Sequence, residues 1–478
     1  MNCRLVFVAA LSFALCLPAS AKDKNTRTAG WKYLEDNFET YDKLQKSIHS
    51  YAELGYLETR SCEALASHLE SEGFTIERGV AGIPTAFIAT FGSGKPVIGL
   101  LGEFDALPGM SQDTVAFPKP LVEGAPGHGC GHNLLGTGPC AAAVAISKWL
   151  ADGHTGTVKY FGCPAEEGGG GKAYMTRDGC FDGLDAVFDW HPGSTNCVAL
   201  GAGLANLNVL FTFHGISAHA AGAPWDGRSA LDAVEAFNMM MNLMREHVRP
   251  EVRIHYNIPF GGGAPNVVPD KATVNYYIRA PKADEMIKVF ERALKAAEGA
   301  AMGTGTTVEY EIVNGNYERL KNRRLCQLTL ESLKEAGGVK LDARERAFVL
   351  EVMKNSGVAP EKIDEYEKIA PEVFPPAPGG GSSDVGNVSQ IVPCSSLIVE
   401  VTPPGIGIHT WQMASIGGTT VGTKAAIVVA KTQYLTALKL YQNPSEIEAA
   451  WKEFREVQGP DFKYVPLVGD RTPPLNYR

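Results

Sequence analysis

Positive charge is in short supply along this 478-residue sequence: 44 Lys and Arg stand against 53 Asp and Glu, a formal net charge of −9. That balance excludes nucleic acid and anionic membrane as the main partners, since both require a basic face. Cysteine is sparse too. The ten present lack the spacing of a small disulfide scaffold, and a chain this long builds a core without staples. No G-x-x-x-x-G-K-[ST] occurs, which removes the phosphate-cradling P-loop. No internal repeat is visible. After the first 21 residues no stretch is expected to be long and apolar enough to span a membrane.

What is present begins with a leader. MNCRLVFVAALSFALCLPASA has Arg4, an apolar run from Leu5 to Leu17, and Ala19-Ser20-Ala21, the plan of a secretory signal peptide. The run falls short of the roughly 20 residues a span needs and ends at Pro18. Bulky Leu15 before Cys16 suits lipid attachment poorly. Export is expected, to periplasm or medium, with cleavage after Ala21. Eight cysteines then remain, and the sequence assigns no bridge among them.

From Trp31 to Gly73 apolar residues recur at helical spacing, followed by strand-like runs at Thr85 to Phe91 and Lys95 to Glu103. The alternation continues through TVKYFG and DAVFDW, which predicts an α/β sheet with helices on both faces. The texture changes near Gly203. Two strand-helix-strand passes follow, as in a compact α+β module. Met239 to Met241 and Met244 read as core packing. The residues from about Asn443 onward are polar and Pro-containing, an arm.

Four separated stretches place metal-ligating residue types at or just beyond strand ends. They are Cys130 and His132 in GHGCGHNLLG, Glu166 and Glu167 in CPAEEGGGG, His191 in FDWHPG, and His409 in GIGIHT; Asp105 in GEFDALPG also follows a strand. Singly, each has a bland reading: a hydrogen-bonded histidine, a solvated acidic turn, a small buried cysteine. Open α/β sheets bind ligands beyond the carboxyl ends of their strands, so all can converge. A self-contained zinc finger is excluded, because no second Cys or His pair accompanies the first.

The ordered series DALPG, GHGCGHN, PAEEGGGGK, WHPG, SAHAAGAPWDGRSA, NVVPD and GGGSSDVG resembles the co-catalytic metallo-amidohydrolase and peptidase family, from about residue 30 to 440. That family includes hippurate hydrolases, indoleacetyl-amino-acid hydrolases and carboxypeptidase G. Hippurate-type members carry Asp then Gly-His after C-G-H, whereas this chain has Asn133-Leu134-Leu135, similar to the B-type branch of the aminobenzoyl-glutamate hydrolases. The resemblance implies a two-domain fold: a zinc-peptidase-like catalytic α/β domain over 22–202 and 316–442, and an inserted ferredoxin-like dimerisation and lid domain over 203–315. The arm is 443–478.

It also implies roles. Cys130, His132, Glu167, His191 and His409 become ligands of two divalent ions, with Cys130 bridging. The donor types suit Zn, with Mn or Co as alternatives. Glu166 becomes the general base and Asp105 an orienting carboxylate. His219 would stabilise the oxyanion across a homodimer, and Asn266 and Arg279 would contact a substrate carboxylate. Their bland readings are a turn residue for Asn266 and a solvated strand charge for Arg279. The expected activity is metal-dependent hydrolysis of N-acyl amino acids, aminobenzoyl-glutamate first among them, with a possible sister subunit. A dipeptidase or carboxypeptidase using the same site, or a non-catalytic metal- or peptide-binding relative, are the competing readings.

Overall fold

The computed structural model describes residues 29–201, 203–375 and 381–477. The leader and its cleavage point lie outside the described residues. Seven strands form the larger sheet: β1 (Thr75–Arg78), β2 (Phe87–Ser93), β3 (Val97–Glu103), β4 (Gly156–Cys163), β5 (Ala186–Gly193), β6 (Cys197–Val198) and β11 (Cys394–Glu400). Their order is β1-β2-β4-β3-β5-β11-β6. The central four, β4-β3-β5-β11, run parallel, and the outer strands are antiparallel. The loops leaving β3, β4, β5 and β11 therefore emerge on one edge, and each carries a residue singled out above.

The alternation of side chains along a strand divides the core into two faces. Ile98 and Leu100 of β3, Val158 and Tyr160 of β4, and Ala186 and Phe188 of β5 pack on one side. Leu101, Phe161, Cys163 and Val187 pack on the other. The first face is covered by the helix His132–Ala151, which is buried almost all round. Its small residues let a second helix, Thr420–Gln442, approach closely: a Cβ added at Gly138 would sit 3.2 Å from the Ala426 carbonyl. Each Leu, Ile or Phe sealed there stabilises the fold by roughly 1.5–3 kcal/mol.

The second sheet is wholly antiparallel: β7 (Ala205–His214), β8 (Arg253–Phe260), β9 (Lys271–Ala280) and β10 (Thr307–Asn316), in the order β10-β7-β9-β8. Helices Ala230–Met244 and Ala283–Thr304 complete a β-α-β-β-α-β unit, the ferredoxin-like connectivity. Its core joins Phe211, Phe213, Phe237 and Tyr276.

Three expectations need correction. The arm opens with a helix, Pro444–Gln458, because Ile447, Ala450, Trp451 and Phe454 recur at helical spacing behind a proline in its first turn. Trp451 Nε1 ties it to the Asp185 carbonyl at 2.9 Å. The helix His132–Ala151 is also long and apolar enough to span a membrane, with mean hydropathy 1.3, yet 89% of that window is buried inside the protein. It is a core helix. Finally, Met241 and Met244, three apart, are core, but Met239 and Met240 are exposed, since three successive positions of a helix cannot share one face. The eight cysteines from Cys62 to Cys394 are free thiols.

Glu400 closes β11 fully buried, and burial pushes its carboxyl up to about 8 from the ordinary 4.5. The folded chain thus holds a proton that the unfolded chain releases above 4.5, and stability falls as pH rises from about 4.5 to about 8. Glu400→Gln should remove this slope and exceed the parent at pH 8 by on the order of a few kcal/mol. Denaturant midpoints across that pH range check it; a variant weaker than the parent at pH 8 would contradict the assignment.

Candidate metal centre

The switch from strand to loop at the common edge brings the sequence-selected residues together. Ligand atoms of Cys130, His132 and His191 all lie within 4.8 Å of one another, and so do those of Cys130, Glu167 and His409. The two triads share Cys130. Its Sγ is 3.4 Å from His191 Nε2, and His409 Nε2 is 3.3 Å from Glu167 Oε1.

Neighbouring acceptors orient the imidazoles. His132 Nδ1 donates to Asp105 Oδ1 at 2.9 Å, and His191 Nδ1 donates to the Pro192 carbonyl at 2.7 Å. With Nδ1 engaged, each ring turns Nε2 inward, the nitrogen a metal ligand would use. His132 Nε2 is buried and makes no hydrogen bond within the protein. An unpartnered imidazole nitrogen among thiol, imidazole and carboxylate donors is what a bound divalent ion would satisfy, so the residues fit the group. His409 takes a left-handed conformation, φ 59°, and its amide donates to the Gly129 carbonyl at 2.7 Å. This bond docks the last ligand onto the loop bearing the first.

The Glu166-Glu167 turn is gripped from beneath. Glu58 Oε1 accepts from the Ala165 amide at 2.8 Å, and Asp105 Oδ2 accepts from the Glu167 amide at 2.9 Å. Ala165 has φ 57°, a backbone setting that costs a non-glycine residue about 1–2 kcal/mol. The grip sends the two adjacent glutamates into different environments. Burial, then repulsion from Glu103, Glu167 and Asp384, holds the Glu166 carboxyl well above its usual range. Burial acts the same way on Glu167, but the His409 hydrogen bond and the His132 charge outweigh it and hold that carboxyl low. Two adjacent carboxyls are thus pushed to opposite sides of their usual range.

Several participants escape a sequence reading. Glu103, two residues before Asp105 and at the end of β3, lies 3.4 Å from His132 Nε2 through Oε2. Its Oε1 pairs at 2.8 Å with Lys172, whose ammonium also meets Asp384 at 2.5 Å. All three side chains are buried. The GGGGK and GSSDVG motifs contain Lys172 and Asp384, but spacing alone does not join them. Farther under the sheet, Arg319 pairs with Asp189 at 2.5 Å. His128, by contrast, stays out of both triads: its Nε2 donates to the Ile48 carbonyl at 3.1 Å. Asn133 is a clasp, donating to Gln45 and to the Gly417 carbonyl.

The remaining selected residues belong to the second sheet's half. Arg279, on β9, reaches across to Ser382 Oγ at 3.1 Å in the GSSD loop. His219 and Asn266 are exposed on two loops joined to each other: the Asn266 carbonyl accepts from Ala220, and His219 Nδ1 accepts from the amides of Ala221 and Gly222. Within one chain these two stand apart from the triads.

Replacing Lys172 by Met should cost about 3–5 kcal/mol, because two carboxylates would be left buried without a counter-charge. Equilibrium unfolding of the parent and Lys172→Met measures it; a loss under 1 kcal/mol, about what an exposed pair is worth, would disprove the pairing.

Residues 99–412 match the family described as peptidase family M20/M25/M40. The chain is 38% identical to the B-type subunit of p-aminobenzoyl-glutamate hydrolase from Escherichia coli K12, over 93% of this chain and 98% of that protein. It is 29% identical to the Xaa-Arg dipeptidase of Mus musculus, over 88% and 90%. Among solved structures, an aminobenzoyl-glutamate utilization protein from Klebsiella pneumoniae superposes with TM-score 0.64 at 19% identity, covering 86% of this chain and 98% of that one. With these motifs assembled at one sheet edge, the chain belongs to the M20/M25/M40 peptidase family, whose members hydrolyse amide bonds.

Proposed function

We propose that this amide-bond hydrolase cleaves N-acyl amino acids, aminobenzoyl-glutamate or a similar aromatic acyl-amino acid first, with two divalent ions held by the triads that share Cys130. The sharing of Cys130 carries the reading, since one thiolate common to two ligand sets fits a co-catalytic pair. Divalent ions there supply Lewis acidity, polarising an amide carbonyl and acidifying water at neutral pH. Zn suits the donors, with Mn or Co as alternatives.

The chain's residues do the rest. Glu166, half-buried beside the ligands and with its carboxyl held well above the usual range, takes the proton from the attacking water and passes it to the departing amine. Asp105 keeps His132 in its ligating tautomer and anchors the Glu167 amide. Arg279 leans from the lid sheet towards the catalytic half, where its guanidinium would take the free carboxylate of the amino-acid product. Asn266 would assist it, and His219 would stabilise the oxyanion from a second copy of the chain. The intact and perturbed Glu166 speaks against a non-catalytic relative. The likeness to an Xaa-Arg dipeptidase keeps dipeptides as the alternative substrate class.

The leader supports export, and with it activity outside the cytoplasm. A homodimer is supported by β8, an edge strand exposing Tyr256, Ile258 and Phe260. The Escherichia coli relative is by name one of two lettered subunits, which supports a sister subunit as the other assembly.

A panel of aminobenzoyl-glutamate, hippurate-like amides and dipeptides, with and without chelator, checks the chemistry. Glu166→Gln should keep both ions and lose roughly 10²–10⁴-fold in kcat; an unchanged rate would refute the role. Light scattering of the parent should give two copies. Ile258→Lys, placing a charge on the edge, should shift it towards one; a parent that is monomeric at working concentration would overturn the dimer.

A further inference from the structure

The family match stops at residue 412, yet the chain runs on through the helix Pro444–Gln458 into an extended segment, 459–477, that returns to the metal centre. Contacts to both halves of the molecule fix its course. Tyr464 donates to Asn387 Oδ1 at 3.1 Å, and the Val465 carbonyl accepts from Tyr317 at 2.9 Å. Leu467 lies over Gly315 of β10, where an added Cβ would come within 2.5 Å of it. Arg471 donates to the Val313 carbonyl at 2.9 Å, pairs with Glu311, and reaches the Tyr174 hydroxyl at 3.4 Å. Glu311 and Val313 belong to the lid sheet. Tyr174 belongs to the helix Gly171–Arg177, into which the Glu166-Glu167 turn leads directly.

The segment then reaches the turn itself. Tyr477 meets Tyr56 edge-on, with ring centroids 5.5 Å apart. Its hydroxyl fills the space that a side chain at Gly55 would need and faces the Glu167 carbonyl at 3.4 Å. Tyr56 in turn donates to the Gly169 carbonyl at 2.8 Å. A turn followed by four glycines has little stiffness of its own, so its shape depends on what surrounds it.

We propose that segment 459–477 is a clamp holding the lid sheet against the metal-binding turn, with Arg471 and Tyr477 as positioning residues for Glu167. The inference rests on the reading of Glu167 as a ligand. Groups that orient a ligand commonly change metal affinity or activity 10–100-fold when removed, although they touch no metal. Arg471 sets the spacing between lid and turn. Tyr477 covers the turn on the side away from Glu58 and Asp105.

The test uses the full chain and four variants: Tyr477→Ala, Tyr477→Phe, Arg471→Ala and Arg471→Lys. Zinc release is titrated with a chelator, amide hydrogen exchange is followed over residues 164–171, and melting temperature is recorded. Tyr477→Ala and Arg471→Ala should release zinc at roughly tenfold lower chelator concentration and exchange faster in the turn. Tyr477→Phe, which keeps the ring against Tyr56 but loses the hydroxyl at the Glu167 carbonyl, should fall between the parent and Tyr477→Ala. Unchanged zinc release and exchange in both alanine variants overturns the clamp, whether or not their melting temperatures fall. If the alanine variants do not fold, Arg471→Lys decides: it keeps the charge but loses the fork, so faster exchange supports the clamp and unchanged exchange overturns it. A parent that binds no zinc counts against the ligand reading, and the exchange readout, which needs no ion, still decides the clamp.

Discussion

Negative charge crowded into a dry interior is the constraint around which this molecule is organised. Glu58, Glu103, Asp105, Glu166, Glu167 and Asp384 act electrostatically on one another at the edge where four parallel strands end. A low-dielectric interior does not hold so many carboxylates unless cations or protons accompany them. Within the chain, Lys172 answers Glu103 and Asp384, and His132 answers Asp105. Glu166 answers its share with a raised proton affinity. What remains, the thiol, imidazoles and carboxylate of the two triads, is the donor set that the proposed divalent ions would balance. Structure and chemistry here are one electrostatic problem with a divided solution.

Much of this was legible before any coordinates. Strand periodicity located β3, β4 and β5, and the rule that ligands gather beyond carboxyl ends linked Cys130, His132, Glu167, His191 and His409 across 279 residues of sequence. A compact α+β module followed from two strand-helix-strand passes, and its ferredoxin-like connectivity from the family resemblance. What stayed hidden was tertiary. Lys172 ends a glycine run, and its burial depends on Glu103 and Asp384, which sit 69 and 212 positions away. Glu58 caps a short surface-like motif, but its carboxylate works on an amide more than a hundred residues on. Composition concealed the helix Pro444–Gln458, since Ile447, Ala450, Trp451 and Phe454 sufficed once a packing surface existed.

The lid sheet and the catalytic half meet at few but informative places. Arg279 touches the GSSD loop, and Asp384 of that loop receives both the amide and the ammonium of Lys172. Contacts therefore run unbroken from Arg279 through the GSSD loop to Lys172. His219 and Asn266 sit on two neighbouring exposed loops, and the catalytic parts proposed for them would be played towards a second chain.

The unequal burial of the two triads has a kinetic consequence. His132 is sealed from solvent, whereas the His409 side chain, on its left-handed hinge, is 50% exposed. An ion held with His409 would have the shorter way to solvent and one held with His132 the longer, so the two proposed positions would exchange at different rates.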